Sequence, residues 1–529
     1  MLALAIGLAL AVLFIALASR NIEAQGLYQD EALQASGSFA YVGGSSIGAM
    51  SIFGVPVLNN SYLGAIKTGI YGFYMRIAGR PFTIFSWRIL GVLAVALGLI
   101  VFCALSYRAL GLWPLLLGTL LAVTDGTAIV MTRHDWGPTA LALLIRLALI
   151  AMLLRNAPDG DAARRNSFAV GALVGIGVFE KLSSLALLAP VALAIALQPF
   201  RRSRRALAAL VIGGLAGGFP LIAVNTISLV RDHTLISFAD TDSSLRPPLK
   251  EFVREFPRQF LALGAGAGAR ERILGDADSA VESRREMVLV AALLALTLAV
   301  SAWKFRGRPE FRTAAVLALS VFGVAAALYA LPRLTGLHHH IQATPFAYIA
   351  GACVLAGMLR LKTRRLAENA AAAAVAVVML LLLANHAAAV GRIESDFAQG
   401  RTGVEWDRRF TDLGSFGASH RNDAIFIFTD WGVSNAIVCL SQAPPQLAHE
   451  VFWNYKGPQE LEHLAEAYHR PWLYLVTPTR TGINPEMAAR INRDASLVPN
   501  WKEMSPEPET AALRPLILVR KFEYRPPSR

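Results

Sequence analysis

Residues 83–106 read TIFSWRILGVLAVALGLIVFCALS. After Arg88 no charge interrupts the run, and its length meets the roughly 20 apolar residues that an α-helix needs to cross a ~30 Å hydrocarbon core. Comparable stretches recur at 1–19, 111–131, 138–154, 167–179, 183–199, 206–229, 287–303, 313–332, 341–359 and 367–390, which makes eleven expected spans. The 167–179 run falls short of a crossing, so it is expected to extend through Glu180 and Lys181 or to lie partly buried against neighbours. Across all 529 residues, 55% are hydrophobic and 16% charged, with a mean hydropathy of +0.47. That balance excludes a soluble globular protein and a single-anchor protein.

The formal net charge of +13 reads as topology rather than as affinity for nucleic acid. Basic residues sit in short clusters between apolar runs, without the aromatic-interleaved stripe of a nucleic-acid surface. Arg155, Arg164 and Arg165 form one cluster, and Arg201, Arg202, Arg204 and Arg205 the next. Lys304, Arg306, Arg308 and Arg312 follow, then Arg360, Lys362, Arg364 and Arg365. These alternate loops are assigned to the cytoplasm, with the N-terminus inside and everything after residue 390 outside. Arg284 and Arg285 fall on the opposite side, at the end of a long loop where the bias is weaker. Ala16, Leu17 and Ala18 resemble a signal-peptidase site, but no basic region precedes the run, so an uncleaved first helix is expected. Cys103, Cys353 and Cys439 are scattered, which supports neither a disulfide framework nor a thiolate metal site.

With this topology, polar groups far apart in sequence come to the outer face: Asp30 and Glu31 in YQDEALQASGSF (28–39), Lys67, the cluster Arg133, His134 and Asp135, the pair Glu180 and Lys181, and the run 333–340. Ionisable groups beside hydrocarbon are costly unless paired or used. His338, His339 and His340 are adjacent, so they cannot all point one way on a helix, and metal binding is the lesser reading. In the loop 230–286, LKEFVREFPRQF (249–260) has the period of an interfacial amphipathic helix, and GAGAGA (264–269) reads as a flexible connector. The pair is a lid or a passive linker, and no P-loop Lys-Ser/Thr follows the glycines. From 391 to 529 the runs AIFIFTDWG, PWLYLVTP and PLILVRKF read as strands between helical stretches, an outer α/β domain. Asp430 and Trp431 follow the first strand, as a contact site or as a turn.

The order of these features is that of a first helix, an acidic pair (Asp30, Glu31), an amphipathic SYLGAIKTGIYGFYMRIAGR (61–80), a Ser-x-Arg helix start (Ser86, Arg88), an Arg-x-Asp loop (Arg133, Asp135) and GVFEKLSSLALLAP (177–190). It resembles the GT-C class of polyprenyl-phosphate-dependent glycosyltransferases, in the branch of protein O-mannosyltransferases and lipid A aminoarabinose transferases, over residues 1–360. The chain departs from relatives that carry Lys-Pro-Pro late in the first outer loop, since Lys67 is followed by Thr68 and Gly69. The resemblance implies a polytopic α-helical membrane domain at 1–390, with outer loops at 20–82 and 230–286. It implies transfer of a sugar from a polyprenyl-phosphate donor to a glycan, lipid or protein acceptor outside the cytoplasm, among membrane lipids of a plasma membrane. Such chemistry needs a base and fixed cations. Asp30 fits the base, Glu31 a group that orients it or binds substrate, and Lys67, Arg88, Arg133, Lys181, Arg333 and His339 the phosphate ligands. Asp135 either pairs with Arg133 or Lys181 or joins Asp30 around a divalent cation, Mg or Mn; the pairing is preferred because no DxD-type pair appears. The alternatives are a flippase for lipid-linked glycans, which inverted repeats and mid-helix charges would favour though the sequence reads as having neither, and a non-catalytic scaffold.

Overall fold

The computed structural model describes residues 1–44, 50–155, 160–198, 203–238, 248–276, 280–304, 308–331, 337–361, 365–442, 447–480, 482 and 484–525. A helix covers each of the apolar segments. The first is α1 (Leu2–Ser19). A short layer outside the helical bundle follows, with α2 (Gln29–Ser36), an antiparallel ribbon of β1 (Met50–Ile52), β2 (Val55–Asn60) and β3 (Leu63–Gly64), and α3 (Ile66–Ala78). Then come α4 (Ile84–Leu110), α5 (Leu112–Val123), α6 (Gly126–His134), α7 (Thr139–Leu154), α8 (Asp161–Glu180), α9 (Leu188–Leu197), α10 (Arg204–Gly217) and α11 (Phe219–Asp232). Among the described residues six helices are long and apolar enough to cross a membrane on their own, and eight spans result if the bent pairs α5–α6 (53°) and α10–α11 (64°) each count as one. The protein is an integral, multi-pass membrane protein.

The short 167–179 run is completed at its front rather than its back: α8 begins at Asp161 and stops at Glu180. Its glycines decide its neighbour. A Cβ at Gly171 or Gly175 would enter the backbone of α10, and one at Gly213 or Gly217 of α10 would enter that of α8. This reciprocal small-xxx-small seam lets two helices pack backbone to backbone where lipid offers no hydrophobic drive.

The α5–α6 bend has a local cause. The Asp125 side chain accepts from the Ala128 N–H at 2.8 Å and caps α6, which starts a new helix after the chain turns at Thr124. Beneath it, the 230–286 loop folds into α12 (Leu249–Leu263) and, after one further turn, α13 (Ala267–Ala269). Phe252 stacks on Tyr329 at 4.5 Å, and Phe256 and Phe260 continue the same apolar stripe. The 264–269 run is a correction to the flexible-connector reading. All six residues are buried, and Gly266 (φ +77°) lies against the Gly126 backbone, where only glycines allow that approach.

The remaining spans are α14 (Ala280–Lys304), α15 (Pro309–Ala330), α16 (Leu337–His340) running into α17 (Thr344–Leu359), and α18 (Leu366–Ala398), which continues eight residues past the expected boundary at 390. The C-terminal layer holds α19 (Arg408–Ser419), β4 (Ala424–Phe428), α20 (Ser434–Leu440), β5 (Ala448–Glu450), β6 (Trp472–Pro478), β7 (Trp501–Met504) and β8 (Ile517–Tyr524). Its sheet runs in the order β5-β4-β6-β8-β7, with β4 parallel to β5 and β6 and β8 antiparallel to both its neighbours. The expected strands are β4, β6 and β8. One apolar cluster joins this layer to the α2 layer, because Ala436, Val438 and Cys439 of α20 pack with Leu27, Ala32 and Ala35 around α2.

Candidate active site

α2 places its two carboxylates in opposite surroundings. Glu31 is fully buried, and Arg88, also fully buried, grips it from Nε at 2.8 Å and Nη2 at 2.9 Å. The other donors of Arg88 go to the carbonyls of Ile22, Gln25 and Gly26, each at 2.8 Å. All five N–H groups of this guanidinium are thus committed, so Arg88 does not serve as a phosphate ligand. It clamps the turn that delivers α2. Asp30, one residue earlier, is half-buried and makes no side-chain hydrogen bond or ion pair among the described residues. Burial raises its pKa from 3.8 to about 6, a shift opposed by Lys181 and reinforced by Glu405.

Lys181 stands just beyond α8, held there because β3 bridges to its backbone through Leu63. It is buried and has no hydrogen-bond or ion-pair partner among the described residues. Its ammonium fills the space that a side chain at Gly137 (φ +63°) would need. Asp30 and Asp135 both lie within its electrostatic reach. The sequence expectation pairs Asp135 with Arg133 or Lys181; its ion pair is instead with Lys67, at 2.7 Å and fully enclosed. The second oxygen of Asp135 accepts from the Ala140 N–H at 3.1 Å and so caps α7. Lys67 also lies over the Trp87 ring at 3.8 Å.

Arg133 is not with these groups. It is buried, donates to the carbonyls of Arg20 and Asn21 and to Gln25 Oε1 (2.9 Å), and lies over the Phe397 ring at 3.8 Å. This arginine ties the end of α1 to α6 and α18, so the structure assigns it to the frame and not to the phosphate. Of the histidines, His338 reaches the site, with its ring 5.1 Å from Trp136 and its Cδ2 against the Gly137 position, whereas His339 stacks behind it at 4.1 Å. Arg333 lies outside the described residues.

Sequence reading missed four contributors. Tyr28 stacks on Trp406 at 4.0 Å, and Trp136 meets both edge-on, which forms an aromatic wall beside Asp30. Glu405, from the chain's final quarter, lines a cleft with Tyr28, Gln29 and Gly432. Trp136, next to Asp135, and Tyr28, two residues before Asp30, carried a local signal; Glu405 and Trp406 arrive by tertiary contact alone. Asp135, the residue weighed as a ligand for Mg or Mn beside Asp30, is engaged elsewhere, by Lys67 and the Ala140 N–H. No group of three metal-ligating side chains occurs among the described residues.

A carboxylate and a cation, each without a hydrogen-bond or ion-pair partner among the described residues, therefore lie within electrostatic reach of each other at one end of a helical membrane bundle. The fold is one that solved structures share. ArnT from Cupriavidus metallidurans shares it end to end: the apo structure aligns over 97% of each chain with a TM-score of 0.58, and the structure bound to undecaprenyl phosphate over 97% of each with 0.54, both at 14% identity. The oligosaccharyltransferase AglB from Archaeoglobus fulgidus aligns over 96% of this chain and 73% of its own, at 12% identity and a TM-score of 0.48. No family model and no curated protein matches the sequence.

Proposed function

We propose that this chain transfers a sugar from a polyprenyl-phosphate donor to an acceptor on the outer side of the membrane, with Asp30 as general base. The observation that carries the reading is the unpaired Asp30 carboxylate beside the unpaired Lys181 ammonium, on a fold shared with a transferase solved with undecaprenyl phosphate. Asp30 takes the proton from the acceptor nucleophile. The nucleophile bonds to the anomeric carbon, the bond from that carbon to the phosphate oxygen breaks, and the electron pair stays on the phosphate. Lys181 stabilises that charge, and Lys67 joins it when Asp135 releases it. Direct displacement inverts the anomeric centre. No step is assigned to Mg or Mn. The cleft at Glu405, Gln29 and Gly432 is the acceptor side.

Replacing Asp30 with Asn should leave the fold intact and lower transfer by a factor of about 10² to 10⁴, measured with a purified short-chain donor. Normal transfer by this variant would remove Asp30 from the mechanism. The flippase reading gains one observation, the buried charges of Asp125, Arg146 and Glu286 within the bundle. Lipid-linked sugar crossing vesicles without loss of the sugar would favour it.

A further inference from the structure

Arg146 lies two turns into α7 and is 1% exposed. Its Nε and Nη2 are buried without a partner, and no nitrogen of its guanidinium has a hydrogen bond or ion pair among the described residues. A buried arginine left wholly unpaired is rare, because the cost of desolvating it is normally offset by a carboxylate or carbonyls. Arg88, Arg133 and Arg270 in this same chain are all engaged. The carboxylate in electrostatic reach of Arg146 is Asp125, and both its oxygens are committed, one to the Ala128 N–H and one to the Tyr348 hydroxyl at 2.8 Å. The other charge that Arg146 feels is Lys181, a like charge, itself unpaired.

Position completes the case. Seven residues at about 1.5 Å each set Arg146 about 10 Å along the helix from its first residue. Side chains on a helix lean toward its N-terminus, which for α7 is the end that carries Asp135 and Gly137, so Arg146 leans back toward Lys181. Arg146 and Lys181 are two buried cations, each without a hydrogen-bond or ion-pair partner among the described residues and each within electrostatic reach of the other, and together they leave a place for an anion.

We infer that Arg146 and Lys181 together seat the phosphate leaving group, and that the chain binds a polyprenyl phosphate monoester, its product, more tightly than the sugar-bearing diester. The inference rests on the reading given under Proposed function. A diester carries one negative charge. When the bond from the anomeric carbon to the phosphate oxygen breaks, its electron pair gives the monoester a second, as the acceptor proton neutralises Asp30. A pair of cations matches the charge developed late and not the charge bound first, which is how binding energy is turned into rate.

The probes are farnesyl phosphate and its methyl diester, titrated calorimetrically into the full-length protein in detergent. Wild type should favour the monoester by on the order of tenfold or more, and the preference should grow as pH rises through the second phosphate ionisation near 6. Arg146→Gln and Lys181→Gln should each remove most of that preference, with Arg146→Lys keeping part of it. Equal binding of the two lipids by wild type would overturn the inference while leaving the transferase reading in place, and so would an unchanged preference in folded Arg146→Gln, which would make Arg146 a counter-ion of Asp125. If Arg146→Gln does not fold, Lys181→Gln and the wild-type pH dependence decide. Binding of neither lipid would sink the transferase reading itself.

Discussion

Asp30 and Glu31 are neighbours in sequence, yet a helix turns them about 100° apart, so Glu31 meets Arg88 in the interior while Asp30 stays half-buried, within electrostatic reach of Lys181. Their different chemistry follows from that rotation. A base whose pKa is raised to about 6 is protonated, and idle, below that value. Transfer at subsaturating donor should rise about tenfold per pH unit up to 6 and level off above it, and a flat profile down to pH 5 would discount Asp30. On stability the sign runs the other way. The folded state holds the Asp30 proton more tightly than the unfolded chain, so the favourable contribution is complete below the unfolded value of 3.8 and is lost as pH rises through 6. Asp30→Asn should therefore not lower the melting temperature at pH 7. Glu31→Gln should, by the equivalent of about 3–5 kcal/mol, because it leaves Arg88 buried without its carboxylate; an unchanged melting temperature would contradict the clamp. The acidic pair was legible in the sequence because charge beside an apolar run is conspicuous. The saturation of Arg88 and the engagement of Arg133 were not, since most of their partners are backbone carbonyls set by tertiary packing. Arg146 went unread for the opposite reason: a single charge inside a long apolar run is averaged away by any window wide enough to find the span.

At the level of elements, the apolar segments were legible because a bilayer demands length and hydropathy that composition reports directly. Their contacts were less so. The α8–α10 seam depends on glycines spaced four apart on both helices, and Gly213→Leu should destabilise the protein by at least the 1–3 kcal/mol typical of overpacking. Gly391→Ala, at a position with open space, is the control and should leave the melting temperature in place; equal losses would argue against the seam. The 264–269 run shows how the same residues mislead. Alternating glycine and alanine suit a flexible connector, and they equally suit two backbones pressed together, so only the facing Gly126 separates the two. The short β5 and β7 escaped notice because three or four residues carry too little pattern to read.

Across the whole molecule, charge is sorted to the two ends of the same helices. Arg108, Arg155, Arg165 and Arg360 border one basic cavity, while the opposite ends of α4, α7 and α8 carry Arg88, the Asp135 cap and Lys181. If the basic end is cytoplasmic, a cysteine at Arg165 should resist an impermeant thiol reagent in intact cells and one at Arg421 should react. All three native cysteines are buried, so background should be low; the reverse pattern would invert the orientation and move the site inside. The wall that Glu405 and Trp406 add to Asp30 carries a consequence in time. The ribosome makes Asp30 and its lysines first, and the aromatic stack and cleft exist only after residue 406 has been made and its segment has docked. An unfinished chain in the membrane thus carries the base without the chamber around it and is silent toward its lipid until synthesis is nearly done. Chains ended before Val404 should insert and transfer nothing, and any transfer by them would break this link between completion and activity.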